Sequence, residues 1–205
     1  MKDIIVHTTV YEFSELSESA KQRAKSELAA SNFREEDFCT MVREDLDRDF
    51  PASEDLKFQF SFAGVQGDGF NIYGVLNGFD WIAFLVNHTL LSTKEEELFN
   101  AYLVWNLNIE FKRNKDYTYS MKNQSRNDIE DTVEDWINRL EQNGVENIDE
   151  QLIRWVINRA YIHFSDLDNN WNYNGWNYFH NISNAEAEEL SAEYDIWFNL
   201  DGTIA

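Results

Sequence analysis

The fold class is decided by Phe58-Gln59-Phe60-Ser61-Phe62, followed by Gln66-Gly67-Asp68-Gly69 and then by Phe70-Asn71-Ile72-Tyr73-Gly74-Val75. The first run alternates between apolar and polar residues, which is typical of a strand with one buried face. The glycine-rich tetrapeptide is typical of a turn, because glycine adopts positive φ and aspartate bonds to nearby backbone. Together these runs predict an antiparallel hairpin over residues 57–76.

The rest of the chain is dominated by apolar residues at helical spacing. The predicted helices are one capped by Ser17, one ending at Pro51, four at about 80–91, 94–108, 128–142 and 149–165, and an acidic one capped by Asn184 and ending near Tyr194. The predicted strands lie at 4–11, in a second hairpin over 109–121, and at 197–200. The pattern predicts an α+β fold: one helix-rich domain over residues 1–205, with scope for two sub-lobes and a small antiparallel sheet.

Residues 171–180, Trp-Asn-Tyr-Asn-Gly-Trp-Asn-Tyr-Phe-His, are rich in aromatic rings and asparagine. Because asparagine favours turns, we predict a long loop here. Its rings either close over the core or form a protein-binding patch. We expect Trp171 and Phe179 to point inward, and Trp176 and Tyr178 to lie nearer the surface.

The composition excludes several classes of protein. The chain has 17 basic and 38 acidic residues, a net charge of −21, so an unaided binder of DNA, RNA or anionic membrane is not expected. With 43% hydrophobic residues it can fill a core, and with one cysteine, Cys39, it has no disulfide framework. It shows neither a membrane-spanning run nor a secretory signal, so we expect a cytoplasmic location.

The sequence contains no Walker loop, nucleophile elbow or His-Glu-x-x-His motif. His163, Asp166 and Asp168 are better explained by a helix end than by a metal site, and Cys39 by packing. We therefore predict no catalytic residue, no metal and no cofactor. One alternative is a small enzyme built around the turn, with Gln66, Gly67, Asp68 and Gly69 as its loop.

The acidic residues are clustered. Segment 35–55 has nine carboxylates against two arginines, and segment 128–150 has nine against one. Within the predicted helices these acids fall between the apolar positions, so they face solvent, where they either confer solubility or imitate the phosphates of a nucleic acid. The candidate partner-binding residues are Glu44, Asp45, Asp47, Asp128, Glu130, Asp131, Glu134, Asp135, Trp176 and Tyr178.

Three short segments carry a resemblance. Leu16-Ser17-Glu18-Ser19-Ala20-Lys21, the Gln66-Gly67-Asp68-Gly69 turn and the closing Asp201-Gly202-Thr203 are similar to those of a family of small uncharacterised phage and prophage proteins. The resemblance implies a phage or mobile-element origin and names no catalytic residue.

An acidic phage protein that acts like a DNA mimic would block a restriction or CRISPR effector. The predicted function is inhibition of a basic, nucleic-acid-binding host protein, without direct contact to nucleic acid or membrane. An antitoxin-like partner of a basic toxin is a further alternative.

Overall fold

The computed structural model describes residues 9–62, 68–103, 107–113 and 126–205. Within these residues the chain forms seven α-helices and three strands. The helices are α1 (Glu18–Ala29), α2 (Asn32–Asp49), α3 (Gly78–Asn87), α4 (Thr93–Leu103), α5 (Arg126–Gln142), α6 (Glu150–His180) and α7 (Asn184–Glu193). The strands are β1 (Lys57–Ser61), β2 (Gly69–Asn77) and β3 (Asn108–Phe111). The predicted helix-rich α+β class is confirmed.

The three strands form one antiparallel sheet in the order β1-β2-β3. Phe60 lies opposite Phe70, so the hairpin predicted over 57–76 is confirmed. β3 is the first strand of the predicted second hairpin, and it pairs with β2, with Gly74 opposite Phe111. Its proposed return strand at 117–121, the strand residues 4–8 and the turn residues Gln66 and Gly67 lie outside the described residues.

The chain divides into two units, and both boundaries fall within helices. The first unit contains residues up to 39 together with 176–205. Its core packs α1 and α7 around Phe13, Leu28 and Phe198. Ser17 is the N-cap of α1 as predicted, since its side chain accepts a hydrogen bond from the Ala20 N–H.

The second unit contains residues 40–175, including the sheet and α3 to α5. Its largest fully buried side chains include Trp81, Trp136, Phe111 and Phe164. Trp81 is fixed in orientation because its Nε1–H donates to the Val156 carbonyl at 3.0 Å. No helix in the described part of the chain has the length and apolarity to cross a membrane.

The loop predicted at 171–180 is wrong, because α6 continues as a helix to His180. In the second unit its inward face continues through Phe164, Asp168, Trp171 and Gly175 at spacings of three and four residues. Asp168 is buried and accepts a hydrogen bond from β2, and the Trp171 ring lies 6.2 Å from the Phe70 ring. These tertiary contacts outweigh the turn preference of the exposed asparagines.

The predicted cap of α7 is wrong by one residue. Ser183, not Asn184, is the N-cap, since its Oγ accepts a hydrogen bond from the Glu186 N–H at 3.1 Å. The Glu186 carboxylate in turn accepts from the Ser183 N–H, which completes a capping box. The Ser-x-x-Glu spacing therefore decides where this helix begins.

Candidate functional site: the acidic face of α5

Packing in the second unit fixes which side of α5 meets solvent. Val133, Trp136 and Leu140 are buried, and the Trp136 Nε1–H donates to the Asn108 carbonyl on β3 at 2.8 Å. Because the apolar stripe faces inward, the carboxylates take the remaining sides of the helix. We call the following residues the α5 acidic face: Asp128, Glu130, Asp131, Glu134 and Asp135.

Part of this face borders a cleft of about 440 Å³. α5, α6, β2 and β3 all contribute to its lining. The lining residues are Val75, Asn108, Glu110, Lys112, Asp128, Asp131, Thr132, Asp135, Arg139 and Tyr161. The structure therefore brings three of the predicted acids together with a fourth carboxylate, Glu110.

Two ion pairs hold acids of the cleft. The Lys112 ammonium hydrogen-bonds the Asp128 carboxylate, which raises the pKa of Lys112 above its usual range. Arg139 Nε lies 2.8 Å from Asp135 Oδ2. Neither Asp131 nor Glu110 forms an ion pair within the described residues. The cleft therefore keeps a net negative charge.

Tyr161 of α6 contributes a neutral hydrogen-bonding group to the same cleft. It is 7% exposed, and its hydroxyl donates to the Glu110 carbonyl at 3.3 Å and lies 3.3 Å from Thr132 Oγ1. Burial raises the pKa of the Tyr161 phenol, so the ring stays protonated at neutral pH. This contact ties α6 to β3 and α5.

Residues on the far side of the α5 acidic face differ in how they are compensated. Glu130 is paired with Arg154 of α6, whereas Glu134 is exposed and forms no ion pair within the described residues. Glu141 lies seven residues, about two turns, after Glu134 and therefore on the same side of the helix. It is also exposed and forms no ion pair within the described residues. Asp131, Glu134 and Glu141 are thus the α5 carboxylates whose charge is available to a partner.

Two of the three acids predicted on α2 are also compensated. Arg48 Nη1 lies 2.7 Å from Asp45, and Arg43 Nη1 lies 3.8 Å from Asp47. Exposed pairs of this kind contribute little to stability, but they lower the local charge. Only Glu44 of the three predicted α2 residues forms no ion pair among the described residues.

The predicted aromatic contacts, Trp176 and Tyr178, belong to the first unit and occupy different environments. Trp176 is 42% exposed, and its ring stacks on His180 with centroids 3.9 Å apart. Tyr178 is half-buried, with the Arg34 guanidinium 4.1 Å from its ring centre and Phe38 against it. The expected exposure fits Trp176, whereas Tyr178 is largely a packing residue.

Asp68 and Gly69 are the residues of the glycine-rich turn that lie within the described part of the chain. Asp68 Oδ1 accepts a hydrogen bond from the Ser61 hydroxyl at 2.6 Å. Gly69 has a φ of +153° and begins β2. This bond gives Asp68 a structural role at the turn end of the hairpin, where Ser61 lies opposite Gly69.

Sequence reasoning missed the residues that β3 and α6 add to the cleft. Asn108 and Glu110 alternate along β3 and Lys112 directly follows the strand, so a period-two pattern could have placed them on one face. Nothing local in the sequence indicated that α5 and Tyr161 would lie beside them.

Within the described residues, no three His, Cys, Asp or Glu side chains are grouped so that they could hold a metal ion. No protein-family model, curated protein or solved structure gives a significant match to this chain.

Proposed function

We propose that this chain is an acidic interaction protein that occupies the nucleic-acid site of a basic host protein, with the α5 acidic face and the adjoining Glu141 as its docking surface. The observation that carries the proposal is the set of unpaired carboxylates on α5 beside a negatively charged cleft. A phage or prophage origin and action in the host cytoplasm belong to the same proposal.

The charge spacing on α5 supports this function. Six carboxylates lie between residues 128 and 141, a length of about 20 Å at 1.5 Å per residue. That is about one charge per 4 Å, close to the roughly 3.4 Å per phosphate along one DNA strand. Three of the six carboxylates are paired with Lys112, Arg154 or Arg139, which lowers the negative charge that a partner would meet. The three unpaired acids are the ones to change in a test.

Electrostatics also define the expected mode of binding. A net charge of −21 steers the chain toward a positively charged groove and keeps it away from nucleic acid itself. The cleft beside Glu110 and Asp131 accepts a lysine or arginine side chain of that groove, with its charge facing both carboxylates. Association should therefore be fast and sensitive to salt.

Charge reversal at α5 tests this function directly. The variant is Asp131→Lys, Glu134→Lys and Glu141→Lys together, and the matched control is Glu188→Lys, Glu189→Lys and Glu193→Lys on α7. Both raise the net charge by six units, but only the first changes the proposed surface. A bacterial lysate is first fractionated on DNA-cellulose. The proteins that the DNA-cellulose retains are then applied to the immobilised chain, and they are the probe.

We expect the wild type and the α7 control to retain proteins from this fraction. A DNA duplex of about 20 base pairs should then displace those proteins. Retention by the α5 variant should fall at least about tenfold, because up to about 1 kcal/mol is lost at each reversed charge. Urea melts establish that both variants fold. Equal retention by the two folded variants, or no retention displaced by DNA, contradicts the proposal.

A further inference from the structure

His163 of α6 lies inside a box of aromatic rings in the second unit. Its ring centre is 4.5 Å from Phe84, 5.5 Å from Trp81, 5.7 Å from Phe164 and 6.1 Å from Phe50. The box joins α3, α6 and the residue that follows α2. His163 Nε2 is buried and has no hydrogen-bond partner among the described residues.

A neutral imidazole suits this box better than a charged one. Protonation would place a charged N–H where the described residues provide no acceptor, and burying such a group is costly. The aromatic faces attract a cation, which offsets part of that cost. Burial is the main cause that lowers the pKa of His163 below its usual value.

The charged groups around the box act in both directions. Asp49 at the end of α2 and Asp166 on α6 favour the protonated ring, whereas His88 after α3 and Arg159 on α6 oppose it. His88 stacks on Phe84, with ring centres 4.0 Å apart, so a second imidazole ring contacts the same box. The net effect keeps His163 neutral at neutral pH.

We propose that His163 is an acid-sensitive switch. When the pH falls below neutrality, protonation of its ring loosens the packing of α3 on α6. The ring fills the contact between these helices beside Trp81, which also bonds the Val156 carbonyl of α6. His163 is half-buried, and it is the Nε2 edge that is enclosed. A charged ring must turn this edge toward water, and that movement opens the contact. The proposal is independent of the proposed function.

The sign of the effect follows from proton linkage. In the unfolded chain histidine binds its proton near pH 6.5, whereas in the fold it does so only at lower pH. Stability is therefore fully present above about pH 6.5 and is lost as the pH falls below it. One proton changes the unfolding equilibrium constant by at most about tenfold per pH unit.

Other groups do not produce this trend. Most carboxylates titrate near pH 4, well below the window of interest. Acid also reduces the net charge of −21, which lessens self-repulsion and favours the fold. A loss of stability between about pH 7.5 and about pH 5.5 is therefore attributed to the histidines.

The experiment measures urea unfolding midpoints from about pH 7.5 to about pH 5.5. It compares the wild type with His163→Phe, His163→Gln and the exposed control His180→Gln. Phe preserves the aromatic box without a titrating group, and Gln provides a second neutral side chain if Phe does not fold. Hydrogen exchange at the α3 amides follows the proposed opening.

The wild type and His180→Gln should lose stability and gain α3 exchange as the pH falls. The folded His163 variants should lose at least half of this pH dependence. The proposal is overturned if they keep the wild-type dependence. It is also overturned if an NMR titration shows the His163 ring protonating at or above pH 6.5 in the folded protein.

Discussion

Replacing Gly202 with alanine is expected to destabilise the first unit more than most single substitutions, by roughly 3 kcal/mol or more. Gly202 has a φ of +87°, and an added Cβ would lie 2.1 Å from the Ala20 carbonyl oxygen. Positive φ alone costs about 1–2 kcal/mol for alanine. The clash adds to it, because the obstacle is the backbone of α1 rather than a movable side chain.

The control for this prediction is Gly144→Ala. Gly144 has a φ of +77°, but an added Cβ meets nothing within 4 Å. Its cost should be the conformational one alone, about 1–2 kcal/mol. Guanidinium melts of both variants measure the difference. If Gly202→Ala costs no more than Gly144→Ala, the close approach of this turn to α1 is not what determines the stability of the first unit.

Removing the Asp168 carboxylate is expected to have the second large effect. Asp168 is 3% exposed and accepts hydrogen bonds from the Ile72 N–H at 2.7 Å and from Asn71 Nδ2 at 3.3 Å. Asp168→Ala leaves buried donors on β2 without this acceptor, at about 1–3 kcal/mol for each donor. The total loss should be about 3 kcal/mol.

Asn170→Ala is the matched substitution on the exposed side of the same helix. It should change stability by less than about 0.5 kcal/mol, and alanine's helix propensity can make the change favourable. Urea melts compare the two variants. Equal midpoints would mean that the Asp168 carboxylate does not hold β2 against α6.

Asp168 also explains why the end of α6 could not be predicted. At stripe positions in this helix the sequence has an acid and a glycine, Asp168 and Gly175, so the apolar period is interrupted. The acid can be buried because it accepts a hydrogen bond from the Ile72 N–H. This partner lies 96 residues earlier in the chain. Propensity and periodicity are local signals and do not contain this contact.

The hairpin and α5 were predictable for the opposite reason. The alternation at Phe58–Phe62 and the apolar stripe at Val133, Trp136 and Leu140 are local patterns, and both elements form as predicted. The pairing of Asp128 with Lys112 and of Glu130 with Arg154 depends on tertiary placement. The sequence therefore predicts an acidic face but not which of its carboxylates stay unpaired.

The most direct measurement of the central claim is competition for one site. A host protein retained by the chain and displaced by DNA is purified, and its binding to a labelled duplex of about 20 base pairs is followed by fluorescence anisotropy. We expect the apparent Kd for DNA to rise in proportion to the concentration of the chain. The effect should weaken from about 50 to about 200 mM salt. A ternary complex in which the affinity for DNA is unchanged would contradict the account.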